Sequence, residues 1–289
     1  MTINGKMTIA TALNDAVATL SLNNSIESPR LDAEVLLCNI LKCERISLVI
    51  NKDKSLSDSE YALFSDFVLR RQKNEPVSYI IGSKEFMSLD FYVTNGVLIP
   101  RPDTEILVEK IIEIFKDKQA DIIDLCTGSG AIAISLAYYL DKCSFVAIDK
   151  YDICLETAQK NAKKHSVDER IDFIKADVLE NLSISKEFDC IVSNPPYIKN
   201  VVLSSLPADV KNFEPEYALD GGDDGLIFYR KITDFACKSL KKGGVLAYEI
   251  GFDQGESVRK ILNDTGEFLN ISVIKDLAGL DRVVIGEKR

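Results

Sequence analysis

The sequence predicts an open, doubly wound α/β sheet with a mostly parallel centre, preceded by a small helical bundle. Three observations lead there. From residue 120 onward, short apolar strands alternate with helical stretches, the pattern of parallel strands joined by crossover helices. A glycine loop, Cys126-Thr127-Gly128-Ser129-Gly130, lies where the first of these strands turns into its helix. Residues 1–80 instead carry apolar residues at helical spacing.

Taken in order, Thr8 to Leu22 reads as a helix. Ser28-Pro29 reads as an N-cap followed by proline at the first helical position, with Leu31, Val35, Leu36 and Ile40 on one face. Ser57-Asp58-Ser59-Glu60 is a capping box opening a helix to about Lys73, and Glu75-Pro76 then interrupts. The plain reading of this region is a bundle without chemistry of its own; the functional alternative is recognition of a partner. Residues 84–100 are β-rich, with Asn95-Gly96 as the expected hairpin turn. Asp103 or Thr104 is placed to cap a helix through about Phe115. Strands are expected at 122–125, 144–148, 171–175, 188–193, 244–250, 271–276 and 283–285, and helices at 130–140, 153–164, 227–240 and around 258–262. No internal repeat or low-complexity segment is evident.

Composition narrows the possibilities. The longest apolar run, Ala131 to Leu140, falls well short of the roughly 18 residues that span a bilayer, so no membrane association is expected. Met1 to Asp15 lacks a basic patch followed by an apolar stretch, and no signal peptide is read there. The seven cysteines are scattered without a C-x-x-C pair, which suits free thiols in a reducing cytoplasm. With one histidine, His165, and no clustered thiols, no metal site is expected. The net charge is −10, and residues 1–80 hold 9 basic and 10 acidic side chains, so nearly all the deficit lies beyond them. Non-specific nucleic-acid binding draws on Lys and Arg at phosphates; a basic protein partner fits this chain better than a DNA duplex.

The glycine loop and the acids around it suggest a nucleoside-bearing cofactor. Glycines let the backbone approach a ligand closely. Asp149, ending the second strand, is placed to accept both hydroxyls of a ribose. Gly128-x-Gly130-x-x-Ala133 also satisfies the dinucleotide fingerprint, so a nicotinamide dehydrogenase competes, as does a purely structural turn. The form Asp124-x-Cys-x-Gly-x-Gly favours S-adenosylmethionine, whose ammonium suits an acidic loop where a pyrophosphate would not. Asp177, followed by Val178 after the third strand, is positioned to reach an adenine amino group; a loop cap is the alternative.

Asn194-Pro195-Pro196-Tyr197 is the most specific signal. It ends the fourth strand, on the carboxyl edge where open α/β sheets bind ligands. Two prolines stiffen the corner and remove two N–H donors, and Asn194 before a proline is pushed to an extended conformation. The Asn194 side-chain oxygen and the Pro195 carbonyl then form a pair of acceptors matching an –NH₂ group. Holding both hydrogens turns the nitrogen lone pair toward an electrophilic methyl group. Tyr197 offers a ring for the planar group to pack on.

These residues resemble the HemK/PrmC protein-glutamine methyltransferases over nearly the whole chain. Residues 28–34 and 75–82 look like that family's helical domain, and Ile99 to Glu105 like its linker signature. Residues 126–130 with Asp149 resemble its cofactor loop, and Asn194 to Tyr197 its substrate corner. Glu214-Pro215, Gly222, Asp224-Gly225-Leu226, Gln254-Gly255-Glu256 and Asp281-Arg282-Val283 match later segments. The resemblance implies a Rossmann-like, seven-stranded S-adenosylmethionine-dependent methyltransferase domain at 101–289. It also implies a helical, release-factor-docking domain at 1–83 and a β-hairpin linker at 84–100. The implied reaction is methylation of the N5 amide of the glutamine in the Gly-Gly-Gln motif of class I peptide chain release factors, by a monomer.

In that reading Asn194, Pro195 and Tyr197 are catalytic, and Pro196 completes the substrate corner. Cys126, Thr127, Gly128, Ser129, Gly130, Asp149, Asp177, Val178 and Asn194 hold the cofactor. The Asn-Pro-Pro-Tyr corner is shared with adenine-N6 DNA methyltransferases, the rival activity. Cys126 stands where the family usually has glycine, and Leu280-Asp281 where it often has Asn-Glu.

Overall fold

Thr8 caps the first helix by accepting a hydrogen bond from the Thr11 amide, and α1 runs over Ile9–Leu20. Four more helices follow: α2 Pro29–Leu41, α3 Arg45–Ile50, α4 Asp58–Gln72 and α5 Val77–Ile81. The capping box at the start of α4 is reciprocal, Ser57 Oγ accepting from the Glu60 amide and the Glu60 carboxylate from the Ser57 amide. Ser28 makes no side-chain cap; Pro29 alone shapes the entry to α2. Leu13, Leu20, Leu36, Leu37, Phe64 and Ile80 are among the core residues of this unit. Arg71 of α4 is buried against Asp32 of α2 at 2.7 Å, a pairing that offsets the cost of placing a guanidinium in a core.

The computed structural model describes residues 7–180, 182 and 184–289. Residues 1–6, part of the stretch read as lacking a leader, lie outside the described residues. The chain divides into two compact units, one of residues 1–83 with 206–213 and one of 84–205 with 214–289. The first therefore gains a short helix, Ala208–Phe213, from far down the chain.

The second unit opens with strands β1 Ser83–Phe86 and β2 Leu89–Tyr92. Their turn is Met87-Ser88, both at positive φ (51° and 59°), not Asn95-Gly96 as expected. Two consecutive left-handed residues match the right-handed twist of a hairpin; Asn95-Gly96 turns unpaired chain beyond it. Helix α6 Thr104–Phe115 precedes β3 Asp121–Leu125, α7 Ala131–Tyr139, β4 Ser144–Asp149, α8 Asp152–Lys164, β5 Ile171–Lys175 and β6 Phe188–Ser193. Then come α9 Asn200–Leu203, α10 (the helix at 208–213 of the first unit), α11 Ile227–Ser239, β7 Leu240–Glu249, α12 Gly255–Asp264, β8 Phe268–Lys275 and β9 Asp281–Lys288.

The seven-stranded sheet has the order β5-β4-β3-β6-β7-β9-β8. Strands β3 to β7 pair in parallel, and β9 runs antiparallel between β7 and β8. Helices α6, α7 and α8 contribute to the core on one face, and α11 and α12 to that on the other. Helix α7 is buried from Ala131 to Ala137, the mark of a helix pressed into a core. Strand order reverses between β3 and β6, the position where open sheets leave a crevice at their carboxyl ends. Among the described residues no helix is long and apolar enough to cross a membrane.

Candidate functional site

A cavity of about 330 Å³ opens at that crevice. The carboxyl ends of four strands supply its wall: Cys126 after β3, Asp149 at the end of β4, Asp177 after β5 and Asn194 after β6. Sequence-expected residues Thr127, Gly128, Ser129 and Val178 also line it, as does Pro196. Gly130, Pro195 and Tyr197 do not stand among the lining residues.

The loop after β3 is shaped by three left-handed residues. Cys126 has φ of 62°, Gly128 of 56° and Gly130 of 80°. A Cβ on Gly128 would meet nothing within 4 Å, whereas one on Gly130 would lie 2.6 Å from Ile134 Cδ1 and 3.0 Å from Ala158 Cβ. Gly130 thus packs α7 against α8, and the open space beside Gly128 leaves room for a ligand against the backbone. Cys126 holds a left-handed backbone conformation that costs a side-chain-bearing residue about 1–2 kcal/mol. Burial pushes its thiol pKa well up, and the Asp149 and Asp124 charges reinforce this.

Asp149 is buried and bonded in a way that leaves it able to accept more. One oxygen accepts from the Gly128 amide at 2.9 Å and the other from the Tyr151 amide at 3.1 Å. Burial raises its pKa, against the opposing backbone amides. Each carboxylate oxygen retains lone pairs, enough for two neighbouring hydroxyls. Asp177 is more committed: Lys150 Nζ lies 2.8 Å from one oxygen and the Leu179 amide donates to the other at 2.9 Å. Burial draws its pKa upward, but those partners more than offset it, so it lies below the usual carboxylate range.

Asp124 does not reach the wall. It is 1% exposed, accepts from Thr127 Oγ1 at 2.6 Å and from the Ala133 amide at 3.3 Å, and burial pushes its pKa up to about 7. It braces the loop from behind. The ring pair Tyr151–Tyr217, stacked with centroids 3.7 Å apart, forms part of the wall and was not singled out in the sequence. Tyr151 stands two residues past Asp149, and Tyr217 just after Glu214-Pro215; only the fold brings them together.

The Asn194 corner is held on every side. Ser193 Oγ donates to the Leu125 carbonyl at 2.6 Å, tying β6 to β3 at the crevice. The Asn194 Nδ2 amide donates to Thr104 Oγ1, from the start of α6, at 3.2 Å. Pro195 and Pro196 are buried. The Tyr197 hydroxyl donates to Glu249 Oε1 at 3.3 Å. Gln254 Nε2 clamps the Tyr197 carbonyl at 2.9 Å and the Gly225 carbonyl at 3.2 Å. Gly221 and Gly225 allow this approach, since Cβ atoms there would lie 2.7 Å from Tyr197 Cα and 2.5 Å from its carbonyl oxygen. Gln254 and Gly225 were legible only as parts of a resemblance, and Gly221 was not singled out in the sequence.

Residues 11–82 match the PrmC N-terminal domain and residues 102–206 the methyltransferase small domain. A release factor glutamine methyltransferase of Clostridium botulinum is 43% identical over 266 residues, covering 91% of this chain and 94% of the relative. One of Moorella thermoacetica is 42% identical over 284 residues, covering 98% and 99%. Among solved structures, the hMettl16 catalytic domain bound to MAT2A 3'UTR hairpin 6 is similar at TM-score 0.57 and 16% identity, covering 80% of this chain and 82% of that one. A methyltransferase from Pyrococcus furiosus is similar at TM-score 0.53 and 18% identity, covering 78% and 98%. The structural likenesses speak for the fold, and the near full-length identity for the family: this chain belongs to the release factor glutamine methyltransferases.

Proposed function

We propose that the chain transfers a methyl group from S-adenosyl-L-methionine to the N5 side-chain amide of the glutamine in the Gly-Gly-Gln motif of class I peptide chain release factors. The observation that carries this is the commitment of Asn194 Nδ2 to Thr104 on the wall of a cavity that Asp149 shares. With its N–H group held, the Asn194 amide has its oxygen free to accept, and the Pro195 carbonyl supplies the second acceptor for an incoming –NH₂.

Cofactor and corner fit this role. The open space at Gly128 and the spare lone pairs of Asp149 suit a nucleoside, with Cys126, Thr127, Ser129, Asp177 and Val178 lining the rest; Gly130 keeps the loop in place. When bound, the cofactor supplies an electrophilic methyl group on a sulfonium. Asn194 and Pro195 orient the glutamine nitrogen so that its lone pair faces that methyl carbon. Held there, the donor would give up its methyl group from sulfur to the glutamine nitrogen, and the surplus amide proton would pass to water. Tyr197, anchored on Glu249, keeps the corner rigid, and Pro196 closes its cavity side. Such positioning of a poor nucleophile accounts for several kcal/mol of barrier. Residues 1–83 dock the release factor: that unit carries no catalytic constellation and exposes Ile46, Val49 and Ile50 along α3. A substrate of translation places the reaction in the cytoplasm, performed by a single chain.

Purified enzyme would be offered a release factor and duplex DNA side by side. Methyl incorporation into the protein, lost in Asn194→Ala by roughly 100-fold or more while cofactor binding persists, is the expected result. Incorporation into DNA instead would overturn the substrate, and near-normal transfer by Asn194→Ala would remove that residue from the mechanism.

A further inference from the structure

The clamp on the Asn194 corner belongs to a wider ring of turns, all within the second unit. Sheet register brings them together. Strand β6 ends level with β7, Ser193 pairing Tyr248, and β7 ends beside the start of β9, Glu249 pairing Val283. The turn after β7 closes on itself: the Gln254 amide donates to the Gly251 carbonyl at 2.9 Å, and Gln254 Oε1 accepts from the Gly251 amide at 3.0 Å. The same Gln254 reaches the Tyr197 carbonyl, and Asp253 pairs at 3.5 Å with Lys199, two residues past Tyr197. The turn between β8 and β9 is anchored through Asp276, paired with Arg282 at 3.1 Å. Arg282 also pairs at 3.1 Å with Asp103, next to the Thr104 that accepts from Asn194. Beyond the corner the chain enters α9 with the Asn200 amide on the Gly222 carbonyl at 3.1 Å and the Val202 amide on the Lys199 carbonyl at 2.8 Å.

Each of these turns is ordered by its own hydrogen bonds, yet each holds an apolar side chain in solvent. In the β8–β9 turn Asp276 Oδ1 accepts from the Ala278 and Leu280 amides, both at 2.9 Å, and the Asp276 amide donates to the Leu280 carbonyl at 2.8 Å. Leu277, enclosed by those bonds, is 108% exposed. Val201 in α9 is 80% exposed and Phe252 in the Gly251–Gln254 turn 63%. Among the described residues of the second unit, these are the three most exposed large apolar side chains. A lone exposed apolar residue is ordinary. Three of them on ordered turns around one corner make the kind of patch that meets a partner.

We infer that Val201, Phe252 and Leu277 form a docking rim for the release-factor chain on either side of the Gly-Gly-Gln, and so determine specificity for the protein substrate. The inference rests on the reading above that the Asn194 corner takes the glutamine of that motif. Two glycines offer no side chain to grip, so the glutamine by itself enters the corner weakly held. Contacts with the flanking chain must then supply the binding energy that sets the amide against its two acceptors. A rim continuous with the corner is where that chain has to pass. Because its turns are already ordered, little freedom is lost on the enzyme side when they are covered. The occupant that fits carries apolar side chains beside the motif, since leucine, phenylalanine and valine gain by leaving water and offer nothing to a bare polar loop.

Full-length Leu277→Ser and the triple change Val201→Ser, Phe252→Ser, Leu277→Ser would be assayed with Asn194→Ala alongside. Two substrates would be used: native release factor, and release factor whose apolar residues flanking the Gly-Gly-Gln are replaced by serine. Cofactor affinity by calorimetry, melting temperature and self-association by sedimentation would be measured on every variant. On native release factor the triple variant should lose roughly tenfold or more in kcat/KM, the scale of truncated interface anchors, and Leu277→Ser a part of that. Cofactor affinity and melting temperature should match the wild type. On the serine-flanked substrate the triple variant should fall within about twofold of the wild type, because a lost contact cannot be lost twice. Losses by the same factor on both substrates would overturn the rim, as would falls in cofactor affinity that track the losses. Self-association of the wild type that the triple variant abolishes would assign the patch to a second copy of this chain and overturn the inference too. If Asn194→Ala is inactive while the rim variants match the wild type, the rim is wrong and the site reading stands. If Asn194→Ala is active, the site reading fails and takes the rim with it.

Discussion

Single residues in this site do two things at once, and substitutions separate them. Asp149 accepts from the Gly128 and Tyr151 amides while facing the cavity. Asp149→Ala should weaken cofactor affinity by roughly 1.5–3 kcal/mol, the scale of a lost charge-assisted hydrogen bond, and also loosen the glycine loop. Titration calorimetry giving unchanged affinity would leave Asp149 as a loop brace alone. Cys126 offers the opposite case. Its left-handed backbone is strained by about 1–2 kcal/mol for a residue bearing a Cβ, while glycine adds unfolded-state entropy worth about 0.4–1 kcal/mol. Cys126→Gly should therefore be neutral or stabilising by up to about 1 kcal/mol, with cofactor affinity within a few-fold. A melting temperature several degrees lower would mean that packing of the thiol outweighs the strain.

At the scale of elements, the corner depends on a segment that never enters the cavity chemistry. Gly225 sits at φ of 74°, with the Tyr197 carbonyl where a Cβ would go. Gly225→Ala must push the two apart, breaking the Gln254 bridge, at a cost of about 1–3 kcal/mol in local strain. Release-factor methylation should fall with cofactor affinity intact, because the glycine loop belongs to a different strand end. Retention of full activity would show that the corner is rigid without its clamp. The hairpin teaches a related lesson about local signals. Asn95-Gly96 is the stronger turn dipeptide, yet Met87-Ser88 makes the reversal between paired strands. The Met87 amide and carbonyl are taken by Glu105 and Tyr139 of neighbouring helices, so tertiary bonds select a turn that propensity would not.

For the molecule as a whole, buried carboxyl groups set the response to pH. Asp124 and Glu249 are raised from 3.8 and 4.5 to about 7, each by burial first. A raised folded pKa contributes stability that is fully present below the unfolded value and is lost as pH climbs through the folded one. Melting temperature of the cofactor-free protein should thus fall between about pH 4 and pH 7 and level off above it, and Asp124→Asn should flatten the slope. A flat wild-type profile would contradict the burial of these charges. The division of labour between units is tested at the surface of α3. Val49→Ser with Ile50→Ser should lower kcat/KM on whole release factor by about tenfold, near 1.4 kcal/mol, but not on a short Gly-Gly-Gln peptide. Equal losses on both would end the docking proposal. Surface changes are cleaner than deleting residues 1–83, because 206–213 packs in that same unit.

Local pattern determined much of this protein. Alternating strands and helices, the capping box at Ser57, the glycine loop, Asp149 and the Asn194 corner were all legible, because each depends on residues adjacent in the chain. The strand ends were legible too, and with them the cavity wall, since parallel strands deliver their carboxyl ends to one edge. What the tertiary structure alone decided are the partners that converge from distant segments. Thr104 meets Asn194 across 90 residues, Gln254 meets Tyr197 across 57, and Glu249 meets Tyr197 across 52. Glu249 did stand out in principle, a charge at the end of the apolar run Val245-Leu246-Ala247-Tyr248. Its surroundings stayed hidden because they come from other segments: the sheet register sets Glu249 beside the corner, and burial there raises its pKa.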